Sequence, residues 1–217
     1  MNRPLSGLYV LTDHHLTDSV GVVPAVAAAI QGGARLVQYR NKHATRARKQ
    51  WEITDLITLC RPLGIPLIVN DDINLALLTR ADGVHLGADD GSIAAARKML
   101  GDEAIIGASC YNSLARAQSA ADAGASYIAF GRFFSSQSKP DAVKATPELL
   151  SEAKSVLSIP LAAIGGINSH NGSTLVEAGA DMLAVIHAVF GAEDIEQGAA
   201  ALAALYLRNK PIEKGKK

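Results

Sequence analysis

The stretch "DAGASYIA", residues 122–129, decides how this chain is read. It runs from the end of a helical pattern through one glycine and an alanine into an aliphatic strand. The same grammar returns in "QGGARLVQ" (31–38) and "EAGADMLA" (177–184). A glycine there can take the left-handed conformation that closes a helix. A second grammar is shared by "GIPLIVN" (64–70) and "SIPLAAI" (158–164), with Pro at a strand entrance, where no ladder donor is needed. Working outward, short aliphatic runs fall at 7–13, 34–40, 65–71, 82–87, 104–110, 126–132, 159–166 and 181–187. Amphipathic segments such as 48–60, 113–124 and 146–157 lie between them, and another follows Ile195. Alternating β and α elements predict a parallel sheet of the α/β class. An open doubly wound sheet is the rival. Eight units with no long insertion favour a closed (β/α)8 TIM barrel, a single domain over residues 1–209 with a short basic tail at 210–217.

Composition agrees. The 217 residues are 48% apolar but only 5% aromatic, so the core must be aliphatic. Lys plus Arg equals Asp plus Glu at 21 each, which argues against a general nucleic-acid or membrane-surface role. No run of apolar residues is long enough to span a membrane, and the first residues carry no signal-peptide pattern. Cys60 and Cys110 imply no disulfide framework, and a reduced cytoplasmic setting is expected. No His/Cys cluster has zinc-site spacing, and no G-x-G-x-x-G or G-x-S-x-G motif occurs where it would matter. The Ala- and Leu-rich last helix either supports a homo-oligomer or packs on the barrel.

A parallel barrel carries its active site at the carboxyl ends of its strands. Those ends read Thr12-Asp13, Gln38-Tyr39-Arg40 with Asn41 and Lys42 beyond, Asn70-Asp71-Asp72, His85 with Asp89 and Asp90, Ser109, the loop "FGRFFSSQSK" (130–139), Gly165-Gly166, and Ile186-His187. The entrances are Gly, Ala, Pro and Ser. Gln38 and Arg40 share a face by the period of two. Arg40 suits a phosphate or diphosphate, or else an internal ion pair with Asp13 or Asp71. Carboxylates from adjacent tips, Asp71 or Asp72 with Asp89 or Asp90, near Arg and Lys, suit Mg²⁺. Helix capping competes for Asp89 and Asp90. The two glycines suit close approach of backbone N–H groups to a phosphate. His85 either takes part or lines the barrel top; His14 and His15 receive no role.

In order along residues 8–190, "YVLTD", "VQYRNK", "IVNDDINLAL", "ADGVHLGADD", "IIGAS", "SYIAFG" with its trailing Lys139, "AIGGI" and "AGADMLAVIHAVF" make the chain resemble the thiamine-phosphate synthase family. The resemblance implies a transferase that joins a pyrimidine diphosphate to a thiazole phosphate and releases pyrophosphate. It implies a diphosphate pocket at Gln38, Tyr39, Arg40, Asn41, Lys42, Asn70, Ser109 and Lys139, with Arg40, Lys139 and Ser109 catalytic. It implies Mg²⁺ on Asp71 and Asp90. The thiazole-phosphate site falls on Ser136, Gln137, Ser138, Gly166, Ile186 and His187. The chain departs from the usual pattern at Ala88 (usually Gln), Arg132 (Pro), Ser136 and Ser138 (Thr), Met182 (Gly) and His187 (Ser). All of these but Ala88 and Arg132 are expected at or near the thiazole-phosphate side.

The implied mechanism is a dissociative substitution, in which the thiazole nitrogen already carries its lone pair and needs no general base. Two alternatives share the barrel: a thiazole tautomerase, which would not need Arg40, Asp71, Asp90 and Lys139, and a non-catalytic binder of thiamine precursors. Aldolase-type barrels usually need a Lys or a Glu/Asp base on a strand, and none of the eight strands carries a Lys or a Glu.

Overall fold

The computed structural model describes residues 5–135 and 143–208. Ser136, Gln137, Ser138 and Lys139, and the basic tail, lie outside the described residues. In chain order the elements are β1 (Gly7–Leu11), α1 (His14–Thr17), α2 (Val22–Gln31), β2 (Ala34–Tyr39), α3 (Arg46–Cys60), β3 (Leu67–Asn70), α4 (Ile73–Thr79), β4 (Gly83–Leu86) and α5 (Ile93–Leu100). Then follow β5 (Ile105–Tyr111), α6 (Leu114–Asp122), β6 (Tyr127–Phe130), α7 (Pro147–Val156), β7 (Leu161–Ile164), α8 (Ser173–Glu177), β8 (Met182–Val185), α9 (His187–Phe190) and α10 (Ile195–Arg208). Each strand pairs in parallel with the next, and β8 returns to β1, closing an eight-stranded barrel. The open sheet is thereby excluded.

The repeated grammar has a physical basis. Gly33, Gly124 and Gly179 take φ of 105°, 94° and 110°, which only glycine adopts freely. The residue after each alanine matters too. Asp181 Oδ2 accepts the Leu161 N–H at 2.8 Å, Asp82 Oδ2 accepts the Leu67 N–H at 2.8 Å, and Ser126 Oγ accepts the Ile106 N–H at 3.0 Å. Leu67 and Leu161 each follow an entrance proline. Pro66 and Pro160 supply only carbonyls, which accept from Val37 and Ile128 at 3.1 and 3.0 Å. Side chains at the barrel floor thus satisfy strand ends that a ladder alone leaves open.

Period-two alternation separates two cores. Val10, Val37, Val69 and Leu161 face the helices. Tyr9, Leu36, Ile68, Tyr127, Ala162 and Met182 fill the barrel. Continuing that inward parity, Leu36 leads to Gln38, Ile68 to Asn70, Gly83 to His85 and Gly107 to Ser109. The site residues are therefore extensions of the interior layers. Met182 corrects an expectation: it opens β8 beside Gly7 and Ala162, buried at the barrel floor, away from the thiazole-phosphate side. The last helix packs on the barrel's outer layer, with Ala199 and Leu202 buried and a Cβ at Gly32 overlapping Ala199.

A Cβ on Gly107 would overlap the Tyr127 ring and His85 Nδ1. Gly107→Ala should therefore destabilise by about 1–3 kcal/mol, a loss of roughly 2–10 °C in melting temperature. A thermal melt of the purified variant measures this; an unchanged midpoint would contradict the packing described.

Candidate active site

Inside the barrel mouth, five polar side chains hydrogen-bond in series. Gln38 Nε2 donates to the Tyr9 hydroxyl. Tyr9 and Tyr127 hydroxyls meet at 2.7 Å, Tyr127 meets His85 Nδ1 at 2.8 Å, and His85 Nε2 meets Ser109 Oγ at 2.8 Å. With Gln38 Nε2 donating, one direction of the series leaves no hydroxyl hydrogen unused within it. In that direction Tyr9 donates to Tyr127, Tyr127 donates to His85 Nδ1, and the imidazole proton sits on Nε2, facing Ser109. The Ser109 oxygen accepts, so its own hydrogen is available to the mouth. Burial pushes both phenols well above the ordinary tyrosine range, so both keep their protons. Gln38 Oε1 is buried with no hydrogen-bond partner among the described residues.

Around this line the strand tips form the rim. Arg40 lies 3.7 Å from Asp13 Oδ2, a loose pairing that answers which internal acid it meets. Its backbone is locked to the first strand: Arg40 N–H donates to Thr12 Oγ1 at 2.8 Å, and Thr12 Oγ1 donates to the Arg40 carbonyl at 3.2 Å. Tyr39 turns outward, its hydroxyl donating to Glu52 of α3 at 2.6 Å. The Asn41 side chain shapes the loop, accepting from the His43 and Ala44 N–H groups at 3.3 and 3.1 Å. Lys42 is exposed and shares an open cleft with Asn70, Asp71 and Asp72.

The acidic pairs separate cleanly. Asp72 caps α4, accepting the Leu75 N–H at 2.8 Å. Asp89 and Asp90 do not cap α5; Ser92 does, through the Ala95 N–H. Asp90 Oδ2 instead accepts the Gly87 N–H at 2.8 Å, which holds the carboxylate at the tip of β4. Asp71 is held at φ 66° by its N–H donating to the His85 carbonyl at 2.9 Å. Burial raises the Asp71 pKa above the usual carboxylate range, and the facing Asp90 carboxylate raises it further, while Lys42 and Asn70 oppose this. Two oxygen-donor carboxylates pressed together from adjacent strands form a donor set that fits a small hard cation.

On the far side of the barrel, the space a Cβ would need at Gly166 is filled by the Phe134–Ser135 backbone. Phe133 and Phe134 N–H groups donate to the Ile164 and Gly165 carbonyls at 3.2 and 2.9 Å, seating the loop after β6 on the end of β7. Ile186 precedes the short helix α9, and His187 is exposed. Tyr9 and Tyr127 were not among the residues read from the sequence. Their signal was a phenol at inward parity among aliphatic residues.

The family model described as thiamine monophosphate synthase matches residues 8–189, nearly the whole barrel. The chain belongs to that family. It is 47% identical over 208 residues to the thiamine-phosphate synthase of Marinobacter nauticus, covering 95% of this chain and 93% of that one. It is 49% identical over 201 residues to the enzyme of Nitrosococcus oceani, covering 93% of both. Thiamine phosphate pyrophosphorylase from Pyrococcus furiosus superposes with a TM-score of 0.84 at 36% identity, covering 93% of this chain and 96% of that chain. 3-Hexulose-6-phosphate synthase, at 20% identity and a TM-score of 0.69, shares the fold alone.

For a thiamine-phosphate synthase built this way, Tyr127→Phe should remove the hydroxyl's bonds to His85 Nδ1 and to Tyr9 and break the series in its middle. We expect a stability loss of about 1–3 kcal/mol and a fall in kcat of about tenfold or more, with KM values little changed. Melts and steady-state kinetics on the same preparation measure both; wild-type kcat would remove the hydroxyl series from the mechanism.

Proposed function

We propose that the mouth of this barrel carries out thiamine-phosphate synthase chemistry, with the diphosphate held on the β2–β5 side. Arg40 and Lys42 would meet the diphosphate oxygens, Asn70 would orient them, and Asp71 and Asp90 would hold Mg²⁺. The observation that carries this reading is the facing Asp71–Asp90 carboxylate pair with Lys42 beside it. Both ionised, the pair is repulsive; alone it is relieved by a proton shared between Asp71 and Asp90, and a divalent cation can take that proton's place. Bound Mg²⁺ would neutralise charge developing on the diphosphate.

The substrate's CH₂–O bond breaks, and its electron pair leaves with pyrophosphate. The pyrimidine's amino group feeds electrons into the ring and stabilises the cation. Gln38 Oε1 is a buried acceptor for that amino group. The thiazole nitrogen then forms the C–N bond with its own lone pair, so the protein supplies no base. Arg40, the Ser109 hydroxyl and Lys139 would stabilise the leaving group. Gly166, Ile186 and His187, with Ser136 and Ser138 on the loop outside the described residues, would take the thiazole phosphate. Among the described residues no helix is long and apolar enough to cross a membrane, and both substrates are small polar molecules.

The test incubates purified protein with Mg²⁺, 4-amino-2-methyl-5-(diphosphomethyl)pyrimidine and the thiazole phosphate. Thiamine phosphate and pyrophosphate should appear in equal amounts; folded protein yielding neither would favour the tautomerase or the binder. Asp71→Asn and Asp90→Asn should each lower turnover by about a hundredfold or more, and Lys139→Ala similarly. Asn also tolerates the left-handed backbone at position 71. Without Mg²⁺, the melting temperature of Asp71→Asn should equal or exceed wild type, because Asn keeps a hydrogen for Asp90 and removes the like charge. A clear loss there would mean the pair is a structural contact.

A further inference from the structure

Three histidines that the reaction does not use converge on one side of the mouth. His14 and His15 open α1, after the first strand, and His43 lies in the loop after β2. Their ring centroids are 3.7 Å apart for His14 and His15, 4.9 Å for His14 and His43, and 6.1 Å for His15 and His43. One ring nitrogen from each lies within 4.8 Å of the others.

The backbone beneath them is fixed. Asp13 Oδ1 accepts the His15 N–H at 3.1 Å, while its Oδ2 faces Arg40 at 3.7 Å. Asn41 Oδ1 accepts the His43 N–H at 3.3 Å. Thr12 ties the two strand ends together through both backbone groups of Arg40. The three imidazoles are therefore presented by two laced loops.

We propose that His14, His15 and His43 form a transition-metal site of the Zn²⁺ class, separate from the carboxylate pair that follows β3 and β4. Imidazole nitrogens bind Zn²⁺ at about 2.0–2.1 Å, which places neighbouring nitrogens about 3.3 Å apart in a tetrahedron. From a spread within 4.8 Å, the nitrogens must close by at most about 1.5 Å. His15 and His43 are exposed, so their side chains can rotate toward the half-buried His14. Three neutral nitrogen donors select Zn²⁺, Co²⁺, Ni²⁺ or Cu²⁺ over Mg²⁺ and Ca²⁺, which take oxygen ligands. The fourth position stays open to water or an anion. The cysteines do not compete: Cys60 and Cys110 are buried, and burial pushes each thiol up to about 12. Occupancy would join the first and second βα loops, and the second carries Lys42. The inference does not depend on the reaction assigned above.

The probe is CoCl₂, titrated at pH 7.5 into untagged, chelator-treated protein with Mg²⁺ in excess. Wild type should bind one equivalent with visible d–d absorption, Zn²⁺ should displace it, and the melting temperature should rise on binding. His43→Gln and His15→Gln, both at exposed positions that leave the core intact, should each weaken Co²⁺ by at least about tenfold. Asp71→Asn should bind as wild type does. No absorption in wild type, undiminished binding in His43→Gln, or binding lost only in Asp71→Asn would overturn the site.

Discussion

A line of five hydrogen-bonded side chains crosses the interior of the barrel mouth from Gln38 on β2 to Ser109 on β5, and the remaining rim is organised around it. Such a line is demanding. In a buried, weakly polar interior each unmade bond costs about 1–3 kcal/mol, so every member restricts its neighbours. Tyr9 and Tyr127 come from opposite parts of the chain, yet their rings meet edge to face at 5.8 Å. Gly107 leaves the space that Tyr127 and His85 fill. The functional consequence follows from donor counting. With Gln38 Nε2 donating, the direction that uses every hydroxyl hydrogen within the line leaves Ser109 with one for whatever occupies the mouth.

The second constraint is electrostatic. Asp71 is positioned by its own N–H on the His85 carbonyl, and the Asp90 carboxylate by the Gly87 N–H, so backbone contacts keep the two face to face. Asp71 takes a left-handed backbone to do so. Local strain and like-charge proximity at one pair of strand tips are the kind of arrangement a fold retains for a bound cation. Arg40 shows the opposite economy: its backbone is clamped by Thr12, while its guanidinium has only a loose partner in Asp13.

Much of this was legible because barrel strands obey short rules. The Gly-Ala and Ile-Pro repeats mark strand entrances, and period-two parity carries Leu36 to Gln38 and Ile68 to Asn70. Other features depend on contacts no local pattern encodes. Whether Asp90 caps α5 turns on Ser92 being two residues further along and better placed. Tyr39 and Asn41 sit in the same run as Arg40, but alternation sends Tyr39 to α3, and a tight loop uses the Asn41 side chain. His43 joins His14 and His15 only because adjacent strands bring their loops together. Met182 was placed by its motif near the mouth, whereas the strand's direction puts it at the floor.

The direction of the proton series is measured most directly by a long-range ¹H–¹⁵N correlation spectrum of histidine-labelled protein, with the His85 signals assigned by their loss in His85→Gln. The account predicts a ring protonated on Nε2 and bare at Nδ1, with Tyr127 donating. A His85 ring carrying its proton on Nδ1 would reverse the series and contradict the role given to Ser109.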